Sequence, residues 1–181
     1  MIEGLDIDHW VIKARDGDRE AFGKLYDHFL DPIYRYIVFR VSSRETAEDI
    51  TADVFLKTLR NLNSYQKREG MPFSAWLFRI AKNALIDYYR KNIPSEEIPE
   101  DFSDESSHSH ADRETSLNIE KRRLLFGLRQ LPDMQSQAIA LKYFSERSNE
   151  EIGAILGKSE TAVRILQSRG LKKLREYLSA S

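Results

Sequence analysis

The sequence predicts an all-α protein made of two small helical bundles joined by a flexible acidic linker, the C-terminal one a helix-turn-helix domain. Three observations predict it. Apolar residues recur at helical spacing along most of the 181 residues, no alternating β pattern of useful length appears, and a Pro-, Ser- and acid-rich stretch interrupts the periodicity past the middle. The expected boundaries are 1–93, 94–115 for the linker, and 116–181. Each half is bundle-sized.

Composition excludes several classes. There are no cysteines, which removes disulfides, thiolate zinc sites and thiol redox sensing. No apolar run reaches the length of about 18 residues that a membrane span needs, so no membrane insertion is expected. The acidic N-terminus lacks the basic-then-apolar order of a signal peptide, and a cytoplasmic protein is expected. The net charge of −1 conceals a pattern: −5 over residues 1–56, +6 over 57–93, −7 over 94–115 and +5 over 116–181. Two basic blocks flank an acidic one, and each can neutralise phosphates locally.

Taken in order, Asp8–Arg15 reads as a short helix with Trp10, Val11 and Ala14 on one side, stopped by Gly17. Asp18 caps a second helix carrying Ala21, Phe22, Leu25, Tyr26 and Phe29, and Pro32 resets the chain before an aromatic-rich helix to Val41. Ser42 and Glu45 read as a capping box opening a helix with Ala47, Ile50, Val54 and Leu62 inward. Glu48, Asp49 and Asp53 form its acidic outer face, which reads as solvated or partner-facing because no histidine or cysteine accompanies them.

Asn61–Pro72 is a polar loop bearing Tyr65, Gln66, Lys67 and Arg68. Ser74 is expected to cap the next helix, which turns Leu77, Ile80, Ala81, Ala84, Leu85 and Tyr88 inward. Its other face carries Trp76, Arg79, Asn83 and Arg90. Rings stack on bases while cations track phosphates, so this face and loop suit single-stranded nucleic acid. In the linker, His108 and His110 lack further ligands, and neither a metal nor any other cofactor is expected.

Ser116–Leu131 resumes helix, Asp133 restarts one after Pro132, and Ser148–Leu178 forms the closing pair. Ser148 with Glu151 is a capping box, Gly157 ends the first helix, and Ser159 caps the second after about three residues, the helix-turn-helix spacing. Val163, Leu166, Leu171, Leu174 and Leu178 are expected to pack inward. Arg164, Ser168, Lys172 and Arg175 fall at i, i+4, i+8 and i+11 and line an exposed stripe. A packed back with a cationic front is what a major-groove reader requires.

With these residues placed, the sequence resembles the extracytoplasmic-function (ECF) group of bacterial RNA polymerase sigma factors, within the sigma-70 family. The marks are AEDITADVFLKTL at Ala47–Leu59, FSAWLFRIAKNALIDYYR at Phe73–Arg90, the Leu131–Pro132 turn, and EEIGAILGKSETAVR at Glu150–Arg164, in that order across the acidic linker. The resemblance implies a non-enzymatic subunit that binds core polymerase, recognises −35 and −10 promoter elements and promotes strand opening. It implies that Glu48, Asp49 and Asp53 meet the β′ clamp helices, and that region 4 meets the β flap. It implies that Tyr65, Gln66, Lys67, Arg68, Trp76, Arg79, Asn83 and Arg90 hold the melted −10 strand. Thr161, Arg164, Ser168, Arg169, Lys172 and Arg175 would read the −35 duplex. An anti-sigma protein is the implied regulatory partner.

Two rival readings make different demands. A stand-alone helix-turn-helix regulator needs an effector or dimerisation domain, for which residues 1–93 carry no signature. An enzyme acting on nucleic acid needs a clustered metal or nucleophile constellation, and none is apparent in the sequence.

Overall fold

The computed structural model describes residues 4–41, 43–67, 72–92 and 116–180, and within them the protein is helical with no strand. The linker, 94–115, lies outside the described residues, as do Ser42 and Arg68. The N-terminal bundle contains α1 (Gly4–Arg15), α2 (Arg19–Val38), α3 (Arg44–Asn61) with a single 3-10 turn after it (Leu62–Ser64), and α4 (Phe73–Asn92). The C-terminal bundle contains α5 (Ser116–Arg129), α6 (Asp133–Tyr143), α7 (Asn149–Leu156) and α8 (Glu160–Ala180).

Local chemistry explains most of the boundaries. Asp18 caps α2 by accepting from the backbone N–H groups of Glu20 and Ala21 at 2.9 and 3.1 Å. Contrary to expectation, Pro32 does not reset the chain, because α2 runs straight through it. A proline inside a helix costs about 3 kcal/mol or more. Phe29, Ile33, Tyr36 and Ile37 flank it and are all completely buried. Burying each such side chain is worth about 1.5–3 kcal/mol, so together they outweigh the proline.

Two other caps differ from the sequence reading. Ser43, one residue later than expected, caps α3, its Oγ accepting from the Thr46 N–H at 3.0 Å. Ser74 does not cap α4, which begins at Phe73 with the Trp76 N–H bonded to the Pro72 carbonyl at 3.3 Å. Ser74 is buried and its hydroxyl instead donates to Glu151 Oε1 of α7 at 2.6 Å.

That bond is one of several joining the two bundles. α7 packs on both α4 and α8, and one buried cluster runs from Val11 and Phe29 through Phe78 to Leu141, Ile152 and Val163. A second cluster of Leu128, Leu131, Ile139 and Leu174 ties α5, α6 and α8 together. The C-terminal pair therefore sits against the helix that carries Trp76, Arg79 and Asn83.

Candidate nucleic-acid and polymerase interface

The helix-turn-helix pair forms as its sequence dictates. Ser148 Oγ accepts from the Glu151 N–H at 3.1 Å while Glu151 Oε2 accepts from the Ser148 N–H at 2.9 Å, the reciprocal capping box. Gly157 closes α7 in the left-handed conformation at φ 67, and Ser159 Oγ accepts from the Ala162 N–H at 3.2 Å to open α8. The Lys158 N–H bonds back to the Gly153 carbonyl at 2.9 Å. A Cβ built on Gly153 would lie 2.6 Å from the Lys158 carbonyl oxygen, so only glycine lets the turn fold this tightly against α7. Gln167 of α8 reaches Asn149 of α7 at 3.0 Å and fixes the crossing of the pair. Gly153 and Gln167 were not singled out from sequence.

The structure brings the six residues of the expected duplex-reading set onto one helix. Thr161, Arg164, Ser168, Arg169, Lys172 and Arg175 are all exposed on α8, while Val163 and Leu174 are buried behind them. Arg164 pairs with Glu160 at 2.5 Å one turn away. Such an exposed pair is worth little and yields readily to a phosphate or base edge. Leu171 is not packed inward as expected, being 37 % exposed, and Ile165 is 46 % exposed. Both interrupt the cationic stripe with apolar surface.

The expected strand-capturing set divides. Gln66, Lys67, Arg79, Asn83 and Arg90 are exposed, and Trp76 is half-buried. Lys67 is held by Asp8 of α1 at 2.6 Å. Tyr65 differs from expectation, since only 3 % of it is exposed. Its ring packs 5.4 Å from Phe73 and 5.3 Å from Trp76, so in this arrangement it supports Trp76 from behind instead of offering a stacking face. Its buried hydroxyl has no hydrogen-bond partner, and burial pushes its pKa up. A tyrosine in a polar loop gives no periodicity from which this burial could be read.

On α3, Glu48 and Asp49 are exposed and Asp53 is half-buried. Lys57 pairs with Asp53 at 2.8 Å and with Asp87 of α4 at 3.6 Å, and the hydrogen bond it donates to Asp53 raises its pKa. Beside these carboxylates, Leu56 and Leu59 are 52 % and 51 % exposed. Sequence reasoning did not place them on this face, although Leu56 lies three residues after Asp53 and continues its stripe. An acidic patch with large apolar side chains suits a protein surface better than solvent.

The described residues thus form a helical protein with a helix-turn-helix pair on one bundle and a mixed aromatic–cationic helix on the other. Comparison with known proteins makes the assignment specific. Residues 25–93 match Sigma-70 region 2, and residues 127–176 match Sigma-70, region 4. The RNA polymerase sigma factor CarQ of Myxococcus xanthus is 33% identical over 168 residues, covering 92% of this chain and 94% of CarQ. The ECF sigma factor BldN of Streptomyces coelicolor is 32% identical over 170 residues, which span 93% of this chain but 64% of BldN. Among solved structures, CnrH in complex with the cytosolic domain of CnrY has the same fold, with a TM-score of 0.76 at 24% identity over 97% of this chain and 99% of that one. RpoE in complex with the anti-sigma factor NepR from Bartonella quintana gives 0.68 at 24% identity, over 87% and 96%. The chain belongs to the ECF RNA polymerase sigma factors of the sigma-70 family, which are transcription initiation factors and not enzymes. Among the described residues no helix is long and apolar enough to cross a membrane.

Proposed function

We propose that this chain recruits core RNA polymerase to a defined set of promoters in the cytoplasm, with residues 1–93 serving the polymerase and the −10 element and residues 116–181 the −35 element. The observation that carries the reading is the pairing of two unlike nucleic-acid faces in one chain. The exposed row from Thr161 to Arg175 on α8 is shaped for a duplex, and the Trp76, Arg79, Asn83 and Arg90 face of α4 for an unpaired strand.

The division of labour follows from the chemistry. Arg164 and Arg169 present forked donors suited to guanine edges, while Lys172 and Arg175 sit farther along for phosphates. On α4 the ring of Trp76 is backed by Tyr65 and Phe73, and its remaining exposure lets it cap a base that has left the stack. Gln66 and Lys67 flank that position, and Arg68 completes the set by sequence. Unstacking a base costs a few kcal/mol, which stacking at about 1–3 kcal/mol per base offsets. Glu48, Asp49 and Asp53, together with Leu56 and Leu59, form the contact for the β′ clamp helices, and the C-terminal bundle meets the β flap. An anti-sigma protein belongs to the proposal through the family, whose solved members include CnrH with the CnrY domain and RpoE with NepR.

Permanganate footprinting tests the reading. With core polymerase present, unpaired thymines should appear at the −10 element of cognate promoters only when this protein is added. Replacing Trp76 with Ala should reduce that reactivity about 5- to 150-fold, the equivalent of about 1–3 kcal/mol for one base–aromatic stack. Full opening by the Trp76→Ala protein would remove Trp76 from the proposed site.

A further inference from the structure

We propose that Ile165 of α8 reads the C5-methyl group of one thymine in the −35 duplex, and that this apolar contact helps to decide which promoters the protein selects. The role deepens the proposed function and rests on its placing of α8 in the major groove. Arg164 and Arg169 supply polar readout there, and Ile165 supplies the apolar complement.

Helical geometry puts Ile165 at the crest of the exposed face. Successive residues of an α-helix are rotated by about 100° around its axis. Val163, Gly170 and Leu174 are all buried, fall within about 40° of one another and define the back of α8. Ile165 lies about 160° from Val163 and about 180° from Leu174, so it points away from the packed side. Thr161, Ser168, Arg169 and Lys172 lie within about 60° of it, to either side. Its side chain is 46% exposed, whereas Leu166 beside it turns back against the core.

This direction is held from behind. A Cβ built on Gly170 would lie 2.7 Å from Ile139 Cδ1 of α6, so α8 approaches α6 closely there. Gln167 bonds to Asn149 of α7 at 3.0 Å. Together these contacts fix the rotation of α8 about its own axis, and with it the direction of Ile165.

The fold itself does not reward an isoleucine at this position. Its neighbours three and four residues away along α8 are Thr161, Ala162, Ser168 and Arg169, and only Ala162 is apolar. Isoleucine is also a poorer helix former than the arginines and lysine of the same face. A single exposed apolar residue is ordinary on a protein surface. This one stands at the crest of the helix that meets the groove. Leu171, the other large exposed apolar residue of α8, lies about 120° away on the flank, where it lines a groove with Leu174 and Leu178.

The major groove presents one apolar group, the thymine methyl, and apolar side chains are its natural contacts. Recognition helices meet base edges through their N-terminal residues, and Ile165 is the sixth residue of α8. Lys172 and Arg175 lie one to three turns further along, where phosphates are the expected partners. Cytosine presents an amine donor and no methyl, so the contact separates thymine from cytosine at that position.

The test replaces thymine with deoxyuridine, which keeps the pairing and the O4 acceptor and removes only the methyl. Holoenzyme is assembled from core polymerase and the full-length protein. Its affinity is measured for a transcribed promoter duplex in which each −35 thymine, on either strand, is replaced in turn. One replacement should weaken binding about 4-fold, the equivalent of about 0.8 kcal/mol for one buried methyl group. Ile165→Ala should bind the unmodified promoter more weakly and lose its sensitivity to that same replacement. Arg164→Ala should bind more weakly yet keep the sensitivity, which separates the apolar contact from the polar one. Ile165→Ala should also melt no lower than the wild type, because the residue is exposed and alanine is the better helix former.

Binding that depends on the −35 sequence but tolerates deoxyuridine at every position overturns the role of Ile165. So does a deoxyuridine effect that persists unchanged in Ile165→Ala, or a large fall in that variant's melting temperature, which would make the residue structural. Holoenzyme that ignores the −35 sequence altogether would overturn the proposed function itself, a result distinct from all of these.

Discussion

Replacing Gly153 with alanine isolates the turn that sets the direction of α8. In an ordinary helix interior this change is stabilising, because glycine costs about 0.8–1 kcal/mol relative to alanine. At Gly153 the new Cβ would lie 2.6 Å from the Lys158 carbonyl oxygen, well inside the closest normal contact. That oxygen is backbone, and Lys158 is hydrogen-bonded to the Gly153 carbonyl at 2.9 Å, so relief requires moving the turn and the start of α8. Overpacking of this kind costs about 1–3 kcal/mol, and a rigid obstacle places it at the upper end. After the propensity gain, the net loss is about 2 kcal/mol, or about 4–8 °C in melting temperature for a protein of this size. Gly23 is the control, since it sits inside α2 with nothing within 4 Å of a built Cβ. Gly23→Ala should raise stability by up to about 1 kcal/mol. Thermal melts followed by circular dichroism therefore give opposite signs for the same chemical change. If Gly153→Ala melts as high as Gly23→Ala, the turn is looser than the structure has it, and its control over α8 fails.

Three further predictions rest on separate residues. Arg164→Ala should weaken holoenzyme binding to promoters carrying a −35 element by about 1–3 kcal/mol, the value of reading one base edge. Its effect on protein stability should stay within about 0.5 kcal/mol, because the ion pair it loses to Glu160 is exposed. Asp49→Arg with Asp53→Arg should abolish pull-down of core polymerase while leaving the melting curve nearly unchanged, and an unfolded double variant would mean that this face is structural. Stability should also depend on pH through Glu151. Burial alone would raise its pKa, but hydrogen bonds from Ser74 and Ser148 and the Arg147 charge outweigh that and hold it below the ordinary value. The unfolded chain therefore takes up a proton at higher pH than the folded protein does. The contribution is complete above the ordinary glutamate range and is lost as pH falls through the depressed folded value. Urea midpoints measured from about pH 6 to pH 3 should fall less steeply for Glu151→Gln than for the wild type.

What could be read from the sequence was what depends on neighbours in the chain. The capping box at Ser148, the left-handed Gly157 and the Ser159 cap involve groups within a few residues of each other, and all three form. The exposed row on α8 follows from helical period alone. The helix through Pro32 did not, because the burial of Phe29, Ile33, Tyr36 and Ile37 that overrides the proline is a property of the assembled core. Choosing between Ser42 and Ser43 as the α3 cap depends on where the incoming strand of backbone turns, which adjacent serines cannot reveal. Tyr65 and Ser74 show the same limit within the candidate site. The loop tyrosine is drawn behind Trp76, and Ser74 is taken up by a carboxylate 77 residues away. The contact between the bundles lies wholly in that long-range class.

Run-off transcription with purified core polymerase, on promoter fragments from the source genome, tests the central claim most directly. The account predicts promoter-specific transcripts that appear only when this protein is added and that disappear with Asp49→Arg/Asp53→Arg. Absence of transcripts, together with tight duplex binding by the protein alone, would contradict it and point to a stand-alone regulator.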